Sequence, residues 1–259
     1  MAKSARDALP NEGDSMESST KFGDAREHHR MDDFGRAYAG SQRQIQTYVN
    51  LRPLELAEKV LAQLSPPPPP ASRIRWVSPL ASEKFTEYRD EEFLHVLDLD
   101  KYLIDLREFW PDRGPSWDAL GCLESPSGGG VVLVEAKSHG SELQSACKAG
   151  DPRSLKKIQE AMAQTKEWLR IPNPASCDWT KPFYQAANRY AHLYFLRSRG
   201  IQAWLVNVYF LNDPHFKDSG PRVPANWKAP MEDVEKALGL SGRDVPYTAK
   251  LFVEASEFY

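Results

Sequence analysis

The chain has 259 residues, of which 41% are hydrophobic and 27% charged, enough to bury a full core and too apolar for a wholly disordered protein. Its formal net charge of -3 gives no global electrostatic footprint for nucleic acid, so any such binding must come from a local patch. No run approaches the ~20 apolar residues of a spanning helix, and MAKSARDALPNEGDSMESST at the N-terminus lacks the apolar stretch of a signal peptide, so the expectation is a cytoplasmic protein with no membrane partner.

Residues 1–34 are polar, charged and nearly free of large aliphatics, and a disordered tail is expected there. Residues 35–259 are read as one domain: 35–70 a helical extension with a Pro-rich spacer, 71–259 the core. From Gly40 to Leu64 apolar residues recur at helical spacing, with Pro53 as a break or a helix start, giving one or two helices that pack on the main body. SPPPPP at 65–70 is an extended spacer marking a domain edge or a long loop.

RIRWVSPL at 73–80 reads as a strand, and 82–97 as a helix capped by Ser82. A further helical piece, DKYLIDLREFW, stops at Pro111. After a turn-rich PDRGPS, SWDALGCLES and GVVLVEAKSH are two strand-like runs joined through PSGGG, the signature of a hairpin. Asp151 and Pro152 open a helix to about residue 169, with Leu155, Ile158, Met162 and Leu169 as its apolar stripe. Thr180 and Pro182 start the next helix, which Gly200 ends. IQAWLVNVYFL at 201–211 is apolar enough to be a strand buried on both faces. A helix near 230–238 and a closing strand, KLFVEAS, complete the chain, without internal repeats. Cys122, Cys147 and Cys177 have no CxxC spacing and indicate neither a disulfide framework nor a zinc site.

Side chains alternate along a strand, so Glu135 and Lys137 share one side of the second hairpin strand. Asp118 lies on the first, at a separation that makes it a cross-strand neighbour of Glu135. Two adjacent carboxylates repel and need a cation. Oxygen donors of this kind suit Mg²⁺ or Mn²⁺, which keep several waters and can also hold a phosphate. Lys137 beside such an ion could orient or deprotonate a water and neutralise charge in a phosphorane-like transition state. These parts make a phosphodiester hydrolysis site. The plain alternative is a strand end whose Glu and Lys meet solvent or form a structural ion pair. Glu135-Ala136-Lys137 is the only acid-x-Lys triplet in the chain.

Asp118 followed by Glu135-Ala136-Lys137 at the end of an apolar strand resembles the PD-(D/E)XK, or restriction-endonuclease-like, nuclease superfamily, over residues 82–211. The resemblance implies an α/β fold with a mixed central sheet flanked by helices, here with extra N-terminal helices. It implies that Asp118 and Glu135 bind the metal, that Ala136 lends its backbone carbonyl, and that Lys137 serves the attacking water. The family often adds an acid from a preceding helix, for which Glu87 is the candidate, with Asp90 or Glu91 behind it. Gln185 and Tyr190 in FYQAANRY are similar to the Gln and Tyr of the RecB-like branch, with one extra residue between them. Asp118 follows Trp117 where the family motif has proline. The implied partner is nucleic acid, DNA before RNA. A fold relative that acts only as a nucleic-acid or protein interaction module is the alternative.

Gln185, Asn188, Arg189 and His192 fall on one helix face by their spacing. They are candidates for contact with phosphate, Gln185 and Arg189 foremost, or with the site carboxylates; a solvated face is the alternative. Lys148, Arg153, Lys156, Lys157, Lys166 and Arg170 form a basic stretch for phosphate contacts or, interrupted by Glu160 and Glu167, an ordinary charged helix surface.

Overall fold

The structure is a computed structural model that describes residues 31–257. The chain runs α1 (Gly40–Leu51), α2 (Pro53–Leu61), β1 (Arg73–Ser78), α3 (Asp90–Val96), α4 (Leu103–Phe109), β2 (Ala119–Glu124), β3 (Gly130–Lys137), α5 (Pro152–Trp168), α6 (Tyr184–Ser198), β4 (Ala203–Leu211), α7 (Lys228–Leu238) and β5 (Thr248–Glu254). The five strands form one open mixed sheet in the order β1-β2-β3-β4-β5. β1, β2 and β3 are antiparallel neighbours, while β4 runs parallel to both β3 and β5. Antiparallel neighbours need only turns, but the parallel pairs need crossovers, which α5 with α6 and then α7 supply.

Helices cover both sheet faces, which is why β3 and β4 are almost continuously apolar. On one face Val132, Val134, Ala136, Trp204, Val206 and Val208 pack with Ile45, Leu56 and Val60 of α1 and α2. On the other, Val131, Leu133 and Leu205 pack with Ile158 and Met162 of α5 and Leu193 and Leu196 of α6. Strand alternation therefore sends Glu135 and Lys137 toward α6. The expected Asp151 cap is present, its side chain accepting from Ser154 N at 2.8 Å.

Two expected helices begin later than their sequence suggests. Residues 82–89 are not helical beyond a single 3₁₀ turn at Ala81–Glu83, and Ser82 caps nothing. Phe85 is buried, its N–H donates to Leu80 O at 2.8 Å, and Ser78 Oγ donates to Thr86 O at 2.9 Å. These bonds pull the segment into a loop, with Lys84 at φ 52° and Phe85 at φ 55°. Similarly α6 opens at Tyr184, because the backbone of Thr180 and Pro182 accepts from Cys147 N at 2.8 Å and Ser145 N at 2.6 Å. The proline segment is strapped to the sheet: Ser65 O accepts from Tyr247 N at 2.7 Å and Pro66 O from Trp204 Nε1 at 3.0 Å.

Most of the tail expected over residues 1–34 lies outside the described residues. Its final part, from Met31, is placed: Met31 bridges to Ala37, and Asp32 Oδ1 accepts from Phe34 N and Arg36 N at 2.9 and 2.8 Å. Gly35 closes this turn at φ +79°, where a Cβ would stand 2.0 Å from Lys84 O. Gly35→Ala is therefore expected to cost about 1–3 kcal/mol and to lower the thermal midpoint by several degrees. An unchanged midpoint in a thermal melt would show that the turn is not docked on the loop at Lys84.

Candidate metal and catalytic site

β3 ends by presenting Glu135 opposite Asn207 and Lys137 opposite Tyr209 of β4. Asp118 stands just ahead of β2 rather than within it, next to Ala119, which pairs with Val134. That position makes it the neighbour of Glu135 on the same sheet face. Its Oδ2 accepts from Ala136 N at 2.6 Å, so the backbone between Glu135 and Lys137 holds the aspartate in place. Glu135 and Lys137 are 5% and 7% exposed, which rules out a strand end meeting solvent.

Both oxygens of Glu135 are engaged. Lys137 Nζ donates to Oε1, and Arg189 Nε, from α6, donates to Oε2 at 2.5 Å. Arg189 is 2% exposed. Its other nitrogens donate to Ser116 O at 2.7 Å and Asn188 Oδ1 at 3.0 Å, and its guanidinium lies 4.8 Å from the centroid of the Trp117 ring. The expected phosphate contact is thus spent inside the protein, on a site carboxylate. Asn188 and His192 are buried with it, and the solvated-face alternative fails. His192 is a core residue: Nδ1 donates to Asn188 O at 2.9 Å, and burial among Phe93, Trp110 and Trp117 pulls its pKa down to about 3.

Burial, then the neighbouring Glu135, holds the Asp118 carboxyl well above the usual carboxylate range. Burial also works against ionised Glu135, but Arg189 and Lys137 outweigh it and Glu135 titrates below its ordinary value. Burial would lower Lys137, yet Glu135 and Asp118 outweigh that, and it titrates above an ordinary lysine. Lys137 therefore stays an ammonium at physiological pH. As an ammonium it can orient a water or neutralise developing charge.

A raised folded pKa gives Asp118 a stability contribution that is full below the ordinary carboxylate pKa and is lost as pH rises through the folded value. Asp118→Asn, which can still accept from Ala136 N, removes that loss. In chelator its thermal midpoint is expected to exceed that of the unsubstituted protein, by a margin that widens from acidic to neutral pH. Parallel melting curves across that range check this, and a margin independent of pH would contradict it.

Glu87 reaches the cluster from the loop, not from the expected helix. Its Oε1 accepts from Gln42 Nε2 of α1 at 2.9 Å. Burial raises its pKa against that hydrogen bond, and the field of Glu135 adds to the rise. Glu87 and Asp118, with Ser116, Lys84 and Arg89, line a cleft of about 460 Å³. On the other side Glu135 and Lys137, with Gln185 and Tyr190, line a pocket of only about 40 Å³, room for a few waters. Burial pushes the Tyr190 hydroxyl up to about 12. Asp90 and Glu91 are engaged elsewhere: Asp90 accepts from Gly114 N at 2.7 Å, and Glu91 pairs with Arg107.

Two supporting residues escape a sequence reading. Gln42 has no signal, being one polar residue on an amphipathic helix. Glu142 has one: it lies three residues after His139, in capping-box spacing. Its Oε1 accepts from Ser138 N and His139 N at 2.9 and 2.7 Å, and its Oε2 from Ser41 Oγ at 2.7 Å, so it fixes the chain leaving Lys137. The basic stretch is largely an ordinary helix surface, with Lys156 3.7 Å from Glu160, Lys157 donating to Arg107 O at 2.7 Å, and Lys166 to Pro174 O at 3.1 Å.

Among the described residues no group of three or more His, Cys, Asp or Glu is arranged to hold a metal. The donor set is a pair, Asp118 and Glu135, with Glu87 in electrostatic reach. One or two carboxylates completed by waters are a common Mg²⁺ donor set, and burial, then the field of Glu135, raises the Asp118 carboxyl in the metal-free protein. Asp118 and Glu135 thus fit a hard divalent ion by donor chemistry. No protein-family model, curated protein or solved structure matches the chain.

Proposed function

We propose that this protein is a metal-dependent nuclease, hydrolysing phosphodiester bonds of nucleic acid, DNA before RNA, with a restriction-endonuclease-like core of PD-(D/E)XK type. The observation that carries the proposal is the grouping of Asp118 and Glu135 on one sheet face around the buried ammonium of Lys137, with Asp118 and Glu87 lining a cleft of about 460 Å³. The mixed five-stranded sheet with Glu135 and Lys137 at the end of its central strand also fits such a core. Among the described residues no helix is long and apolar enough to cross a membrane.

Asp118, Glu135 and the Ala136 carbonyl are the groups that would hold Mg²⁺ or Mn²⁺. Such an ion supplies a Lewis acid and an activated water. Lys137, fixed on Glu135, would supply positive charge as a pentacovalent phosphorus accumulates negative charge. Glu87 presents a second carboxyl to the same cleft, held by Gln42. Gln185 lines the small pocket on the Lys137 side, where its amide can bond a water.

The second reading is an inactive fold relative that serves as a nucleic-acid or protein interaction module. One observation favours it: both Glu135 oxygens are occupied by protein cations. A panel of labelled single- and double-stranded DNA and RNA, incubated with Mg²⁺ or Mn²⁺ and with chelator, separates the two. Cleavage that chelator abolishes is the expected result. Retention of labelled strands without cleavage under every metal condition would select the module.

A further inference from the structure

We propose that Arg189 is an internal counter-ion that orients Glu135 and competes with the divalent ion for Glu135 Oε2, and so sets the metal affinity of the site. This rests on the metal-site reading given above.

Arg189 is built in rather than incidental. Four contacts fix its guanidinium: Glu135 Oε2 at 2.5 Å, Ser116 O at 2.7 Å, Asn188 Oδ1 at 3.0 Å and the face of Trp117 at 4.8 Å. Ser116 lies two residues before Asp118, so one side chain from α6 ties together the segments that carry both acids. At 2% exposure it has no solvent to retreat into without a rearrangement.

A guanidinium cannot be neutralised at accessible pH, so it cannot leave Glu135 by losing a proton. A divalent ion that approaches Glu135 meets a fixed positive charge already bonded to the oxygen it needs. It must either displace Arg189 from Oε2 or bind against its repulsion. In both cases the guanidinium lowers affinity, while in the metal-free protein it keeps a buried carboxylate ionised and aimed. Lys137 occupies Oε1 from the same strand, but Arg189 comes from a separate helix, so motion of α6 or of its side chain alone changes access to the ion. Arg189 is therefore a positioning residue.

The test uses the full chain and Mn²⁺ as the probe, with affinity read by electron paramagnetic resonance or calorimetry. Arg189→Met removes the charge and keeps much of the volume; Arg189→Gln is a milder second variant; Arg189→Lys keeps the charge. Arg189→Met and Arg189→Gln are expected to bind Mn²⁺ at least about tenfold more tightly than the unsubstituted protein, and Arg189→Lys to stay close to it. On the unsubstituted protein alone, the buried arginine Nε–H resonance is expected to shift as Mn²⁺, or diamagnetic Mg²⁺, is added. Unchanged or weaker affinity in both neutral variants, or an unmoved resonance at saturating Mg²⁺, overturns the inference while leaving the metal site standing. Absence of Mn²⁺ binding by every protein overturns the metal site itself, and this inference with it.

Discussion

Glu135→Ala is expected to destabilise the fold by about 3–5 kcal/mol, because it leaves two buried cations without their shared anion. Lys137 and Arg189 both donate to Glu135, and neither is more than 7% exposed. In a domain of this size such a loss lowers the thermal midpoint by roughly 10 °C. Replacing Glu135, Lys137 and Arg189 together by Leu, Met and Met is expected to recover much of that stability, since breaking a buried ion network costs more than the network contributes. Urea unfolding of the single and triple variants measures both. A single variant within about 1 kcal/mol of the unsubstituted protein would mean that these charges are solvated and that the network is not as described.

Lys137→Met should reduce cleavage by about 10²–10⁴-fold while metal binding survives or tightens. In the proposed mechanism its ammonium acts as charge develops on phosphorus, and its removal lowers the positive charge that a divalent ion would meet. Asp118→Ala should fail differently, by weakening the metal site, so that raised Mn²⁺ partly restores the aspartate variant and not the lysine variant. If Glu135 and Lys137 were only a structural ion pair, Lys137→Met would lose stability without losing any cleavage. Equal cleavage by the unsubstituted protein and Lys137→Met, on any substrate the former cuts, would remove Lys137 from the mechanism.

The parts of this site that could be read from the sequence are those set by local rules. The hairpin follows from two apolar runs and PSGGG, and strand alternation alone places Glu135 and Lys137 on one face. Asp118 was legible as their neighbour through the same register, although it stands one residue ahead of the strand. What was not legible depends on contacts between distant segments. Phe85 sits at helical spacing from the α3 core residues, yet its N–H donates to Leu80 O and Ser78 Oγ donates to Thr86 O, which holds the segment in a left-handed loop from which Glu87 reaches the cluster. Arg189 lies 54 residues from Glu135, and helix periodicity says that it shares a face with Asn188 and His192 without saying that the face is buried. The proline run looks like a spacer because its backbone lacks donors, but its carbonyls, which Trp204 and Tyr247 use, remain available.

The proposed roles of Lys137 and Arg189 both depend on Asp118 and Glu135 holding one divalent ion. An anomalous difference map from crystals grown with saturating Mn²⁺ tests this most directly. One peak, about 2 Å from a carboxylate oxygen of both Asp118 and Glu135, with Arg189 drawn off Glu135 Oε2 and the Lys137 ammonium beside the ion, is the expected result. A map with no peak between the two carboxyl groups, while Glu135 keeps both its protein partners at saturating Mn²⁺, would contradict it.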